Sequence, residues 1–86
     1  MFEAHFEKPA GKFIEKLKDK TLLKRILNRV EALRVEPFPS ECIRVQEYKK
    51  DKVFRVRVGD YRILYYVNYE RNILDIVNVD KRPRAY

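Results

Sequence analysis

Apolar positions along this chain follow two different periods. Between Phe13 and Leu33 they recur every three to four residues, whereas from Ile43 to Val79 they alternate every second residue. The first region predicts helices. Phe13, Ile14 and Leu17 lie on one face of a helix that Pro9 suits in its first turn, where a missing N–H goes unnoticed. A break at Lys18 to Lys20, with Thr21 as cap, leads into a longer helix whose stripe is Leu22, Leu23, Ile26, Leu27, Val30 and Leu33. Pro37 and Pro39 end it, because a residue before proline is pushed out of helical geometry. The pair is expected to form an antiparallel helical hairpin. The second region predicts strands at Ile43 to Tyr48, Val53 to Val58, Tyr61 to Asn68 and Ile73 to Val79, with turns at Lys49 to Lys52, Gly59-Asp60 and Tyr69 to Asn72. A further short strand, Phe2 to Phe6, precedes the helices. The fold class is therefore α+β: an antiparallel meander with an N-terminal edge strand and the helical hairpin on one face, in one domain over residues 1–86.

Gly59-Asp60 sets the register of the central hairpin. A two-residue loop places Val58 opposite Tyr61, Arg57 opposite Arg62, Val56 opposite Ile63, Arg55 opposite Leu64 and Phe54 opposite Tyr65. One face is then apolar and the other carries Arg55, Arg57 and Arg62. Like charges directly opposite each other destabilise a sheet, so this pairing points to an anion held between them. A four-residue loop at Tyr69 to Asn72 would set Arg62 opposite Val79. The basic tail from Asp80 to Tyr86 would then leave the sheet beside Arg62, bringing Lys81, Arg82, Arg84 and Tyr86 within reach of the three arginines.

Composition sharpens this picture. The 20 Lys and Arg against 13 Asp and Glu give a net charge of +7 on 86 residues, a field that attracts nucleic acid, anionic lipid or an acidic protein. Cys42 is the only cysteine, which excludes an intrachain disulfide and a thiolate zinc site; it reads as a packing residue in a reducing compartment. No apolar run has the length of a signal peptide or membrane span, so a cytoplasmic protein without membrane attachment is expected. Asp51, Asp60 and Asp75 are scattered and read as turn or ion-pair residues, leaving no metal site and no cofactor expected. His5, the only imidazole, reads as an edge-strand residue. Tyr61 and Tyr65 share the apolar face and read as core.

The run Arg55-Val56-Arg57-Val58-Gly59-Asp60-Tyr61-Arg62, followed by Arg82-Pro83-Arg84-Ala85-Tyr86 after a strand, a helical hairpin and a meander, resembles the RelE/ParE superfamily of toxins. Within it the sequence is similar to RelE-type mRNA interferases, especially archaeal ones. This resemblance implies cleavage of mRNA in the ribosomal A site and inhibition by a RelB-like antitoxin, with a heterotetramer as one assembly it allows. It also implies roles for Arg55, Arg57, Arg62, Arg82 and Tyr86; with the basic residues around them, the expectation is Arg55, Arg62, Arg82 and Tyr86 as catalytic, and Arg57, Lys52, Lys81 and Arg84 as RNA-binding. Some relatives carry lysines where Arg55 and Arg57 stand, and they continue past the tyrosine matched by Tyr86.

Metal-free RNA cleavage needs a base for the 2′-OH, positive charge on the pentavalent phosphate and a proton for the leaving 5′-oxygen. Arginine suits the second task, since its planar fork grips two phosphate oxygens, but it stays protonated and cannot be the base. Tyr86 is the leading base, with Lys81 or Lys52 in reserve. Neighbouring guanidinium groups would favour the phenolate and lower a phenol pKa of about 10. Lys12, Lys16, Lys20, Lys24, Arg25 and Arg29 fit either a grip on ribosomal RNA or an ordinary solvated helix face. Two other classes remain open: a ParE-like toxin acting on DNA gyrase, and a noncatalytic module that binds RNA or antitoxin.

Overall fold

A computed structural model describes residues 1–46 and 52–81. Its elements are β1 (Glu3–Phe6), α1 (Lys8–Lys16), α2 (Lys20–Val35), β2 (Ile43–Arg44), β3 (Phe54–Val58), β4 (Tyr61–Asn68) and β5 (Ile73–Lys81). The strands form one sheet in the order β1-β5-β4-β3-β2. β2 through β5 are antiparallel neighbours, and β1 adds to β5 in parallel.

Both helices seat on one face of the sheet. Ala10 of α1 and Leu22, Ile26, Val30 and Leu33 of α2 bury against Val56, Val58, Ile63, Tyr65, Leu74, Ile76 and Val79. Those α2 residues fall at successive helical turns, which is why the apolar stripe and the core coincide. The stripe is narrower than its sequence suggests, because Leu27 points away from the sheet and is 38% exposed. The cap also differs. Helix α2 begins at Lys20, and Asp19, not Thr21, is the cap: its carboxylate accepts a hydrogen bond from the Leu22 N–H at 3.0 Å. An acidic side chain there also complements the positive end of the helix dipole.

Two strand boundaries depart from the alternating pattern. β2 is limited to Ile43–Arg44, although the Val45 N–H still reaches the Val53 carbonyl at 2.8 Å; Glu47 and Tyr48 lie outside the described residues. At the other end β5 runs on through Asp80 and Lys81. The pairing begins as the four-residue turn requires, Asn68 with Ile73 and Tyr65 with Ile76, and then slips at Leu64/Tyr65 so that Leu64 faces Asn78, Ile63 faces Val79 and Arg62 faces Asp80. One extra residue in β5 produces this bulge. Asn72, at φ 57°, makes the turn.

The helix-free face is not uniformly polar either. Val45, Val53 and Leu64 bury there in a second cluster with Tyr66 and Val77 packed against it. That cluster gives the sheet a floor on which the flanking charged residues stand.

Candidate functional site

The β3–β4 turn has Gly59 at φ +60° and Asp60 at negative φ, the pattern of a turn with glycine in its first central position. Its register is the one the two-residue loop requires: Arg57 faces Arg62 and Arg55 faces Leu64. Since Val56, Val58 and Ile63 point into the core, alternation sends Arg55, Arg57 and Arg62 to the helix-free face. The bulge then sets Asp80 beside them. Arg62 donates from Nε to Asp80 Oδ1 at 2.8 Å and from Nη2 to Oδ2 at 3.0 Å. The row across three strands thus reads Arg57, Arg62, Asp80, and the carboxylate offsets part of the repulsion between the two guanidinium groups.

Along the open edge of β3 this row continues into a cleft. The β2 ladder stops at Ile43 opposite Arg55, so the rest of the β3 edge faces α2 instead of another strand. Between them lies a cleft of about 740 Å³, bordered by Arg25, Arg29, Glu41, Ile43, Arg55 and Arg57. Arg25 and Arg29 are one helical turn apart and so share a side of α2. Arg29 pairs with Glu41, whose carboxyl is held below the ordinary carboxylate range chiefly by that hydrogen bond. The Arg25 guanidinium rests against the turn: a Cβ built on Gly59 would lie 3.5 Å from its Nη1. Among the described residues, four arginines against one carboxylate leave the cleft strongly positive. That charge balance favours an anionic ligand.

Beneath the cleft, Tyr65 is fully buried and donates its hydroxyl to the Pro37 carbonyl at 2.7 Å, tying the segment after α2 to the sheet. Burial, first, and contact with Cys42 push its phenol well above the ordinary value of 10.0, so this tyrosine is structural. Tyr61 packs edge-on against Phe13 with ring centroids 5.6 Å apart. His5 Nδ1 lies 3.0 Å from Asp75 Oδ1 at the β1 edge. Among the described residues, no three His, Cys, Asp or Glu side chains group as metal ligands, and no helix is long and apolar enough to cross a membrane.

Arg55, Arg57 and Arg62 therefore share one face, whereas both lysines stand apart. Lys81 pairs with Tyr61 and alternates with Val79, which puts it on the helix-bearing side; it does not join the arginine row. Lys52 borders a separate groove with Phe38, Phe54 and Tyr69. It precedes β3, which begins at Phe54. Arg82, Arg84 and Tyr86 lie outside the described residues. Asp80 and the joining of Arg25 and Arg29 to the strand arginines are contributions that the periodicity did not suggest.

A five-stranded mixed sheet carrying two helices on one face matches the fold of RelE-like toxins. Residues 4–86 match the family described as the ParE toxin of the type II toxin–antitoxin system parDE, and the chain belongs to that family, within the RelE/ParE superfamily. It is 34% identical over 65 residues to a candidate toxin RelE1 of Methanocaldococcus jannaschii, covering 74% of this chain and 72% of that protein. The chain also superimposes on the archaeal RelE–RelB complex from Pyrococcus horikoshii with a TM-score of 0.79 and 28% identity, covering 98% of both chains. The isolated RelE toxin of E. coli shares the fold, with a TM-score of 0.79 at 18% identity over 99% of this chain and 88% of that one.

Proposed function

We propose that this type II toxin is a ribosome-dependent endoribonuclease that cleaves mRNA in the A site and thereby stops translation, and that a RelB-like antitoxin restrains it in the cytoplasm. The observation that carries the reading is the arginine face formed by Arg55, Arg57 and Arg62 and continued by Arg25 and Arg29 in the cleft. Such a surface suits a phosphodiester chain better than a single small anion. Charge-assisted contacts spaced along a strand and around its edge can follow successive phosphates.

In this scheme Arg62 and Arg55 stabilise the charge that builds on the pentavalent phosphate, and Arg82 joins them. Arg57 and Arg84 bind flanking phosphates, while Lys52 and Lys81, which stand apart from the arginine row, are left out of the scheme. Tyr86 takes the 2′-OH proton. The oxygen then attacks the adjacent phosphorus, the bond to the 5′-oxygen breaks, and that oxygen takes a proton from solvent water, giving a 2′,3′-cyclic phosphate and a 5′-OH. The ribosome supplies in-line geometry by holding the codon. The Pyrococcus horikoshii relative is crystallised as a RelE–RelB complex, which supports an antitoxin partner for this chain.

The family description as a ParE toxin supports a second reading, inhibition of DNA gyrase. Purified protein added to programmed ribosomes, followed by primer-extension mapping and end-group analysis, separates the two. Cuts within the A-site codon bearing 2′,3′-cyclic phosphate (or its 3′-phosphate product) and 5′-OH ends support the ribonuclease. Intact mRNA together with gyrase inhibition supports the other reading, and 5′-phosphate ends defeat the proposed chemistry.

A further inference from the structure

We infer that Asp80 is the positioning residue of Arg62, holding its guanidinium in the plane from which it meets the scissile phosphate. This rests on the ribonuclease reading. Asp80 reaches Arg62 only because β5 carries its extra residue. Without the slip at Leu64/Tyr65 the residue opposite Arg62 would be Val79, and Asp80 would point to the helix side. The bulge thus keeps Val79 in the core and delivers a carboxylate to the arginine's face. The two parallel bonds, 2.8 Å from Nε and 3.0 Å from Nη2, fix both the rotation and the plane of the fork. A guanidinium has five N–H donors and can take a carboxylate along one edge and a phosphate along another.

The pair has a structural share, because it is part-buried and offsets the repulsion between Arg57 and Arg62, but charge compensation alone would not require the fork to be held in one plane. In a site that attracts phosphate, a carboxylate also opposes binding. Its presence is accounted for if orientation matters more than net charge.

The test is the Asp80→Asn variant of the full chain, in which the amide keeps one acceptor but turns N–H donors toward Nη2 and cannot form the bidentate pair. Single-turnover cleavage on saturating programmed ribosomes should fall about 10- to 100-fold, the scale of a misplaced catalytic group. Ribosome affinity should be unchanged or tighter, and Asp80→Glu should recover part of the rate. Cleavage by Asp80→Asn at or above the wild-type rate would overturn the assignment, because Asp80 would then be neutral or a competitor. So would a parallel fall in rate, affinity and melting temperature with no rescue by Asp80→Glu. Should the wild-type protein leave ribosome-bound mRNA intact, the ribonuclease reading fails, and the positioning claim is judged by the Arg62 Nε–H resonance. Slow solvent exchange in the wild type that is lost in Asp80→Asn sustains it, and identical exchange in both refutes it.

Discussion

Replacing Tyr65 with phenylalanine removes one oxygen from the centre of the fold and nothing else. The ring is fully buried, so its packing survives, but the 2.7 Å hydrogen bond to the Pro37 carbonyl is lost and that acceptor is left in a part-buried position. A net hydrogen bond is worth about 1 kcal/mol, and an orphaned acceptor adds to the cost, so Tyr65→Phe should destabilise the protein by about 1–2 kcal/mol at neutral pH. For a domain of this size that lowers the melting temperature by about 4–16 °C. The effect carries a pH signature. Burial raises the folded-state pKa above the ordinary 10.0. As pH rises above about 10, tyrosine in the unfolded chain ionises while Tyr65 in the folded protein keeps its proton. The unfolded state then binds fewer protons, and stability falls by up to about 1.4 kcal/mol per pH unit until the folded-state pKa is passed. The phenylalanine variant lacks this contribution. Urea denaturation of both proteins from pH 7 to 11 should therefore show a gap that is constant to about pH 9 and closes above 10. Equal stability at pH 7, or a gap that stays constant to pH 11, would refute the placement of this hydroxyl.

Three further tests probe the elements that frame the site. Asp19→Ala removes the acceptor for the Leu22 N–H and should cost about 1 kcal/mol by chemical denaturation. Gly59→Ala forces a side chain into positive φ and should cost about 1–2 kcal/mol; its Cβ would meet Arg25 only at ordinary contact distance, so a loss well beyond that would point to a clash the structure does not contain. Arg25→Ala and Arg57→Ala should each weaken ribosome binding and reduce the slope of log affinity against log salt by about 0.7, the value for one lost contact to single-stranded RNA. An unchanged slope for both would remove the cleft from the binding surface.

The hairpin was legible because its determinants are local: a glycine turn and strict alternation around it set which residues face which. The core stripe of α2 was legible for the same reason. The bulge in β5 was harder to read. Alternation through Val77 and Val79 suggests a regular strand, while the core actually takes Ile76 and then Val79, three residues on. That spacing is the one trace of the extra residue, and it decides whether Arg62 meets a valine or a carboxylate. Thr21 lost to Asp19 because both are competent caps and only the path out of α1 selects between them. The cleft joins Arg25 and Arg29 of α2 to Arg55 and Arg57 of β3, elements distant in sequence, and depends on β2 being too short to cover the β3 edge. No periodicity within a segment reports such a meeting.

The proposed activity requires Arg62 to act on RNA. Single-turnover cleavage of mRNA in preassembled programmed ribosomes, wild type against Arg62→Ala, tests it most directly. The lost pair with Asp80 is part-buried and bidentate, so the variant should lose about 1–3 kcal/mol of stability and stay folded. Its cleavage rate should fall by about two to three orders of magnitude, as expected when one donor to the developing charge is removed. Cleavage by the folded Arg62→Ala protein at the wild-type rate would contradict the account.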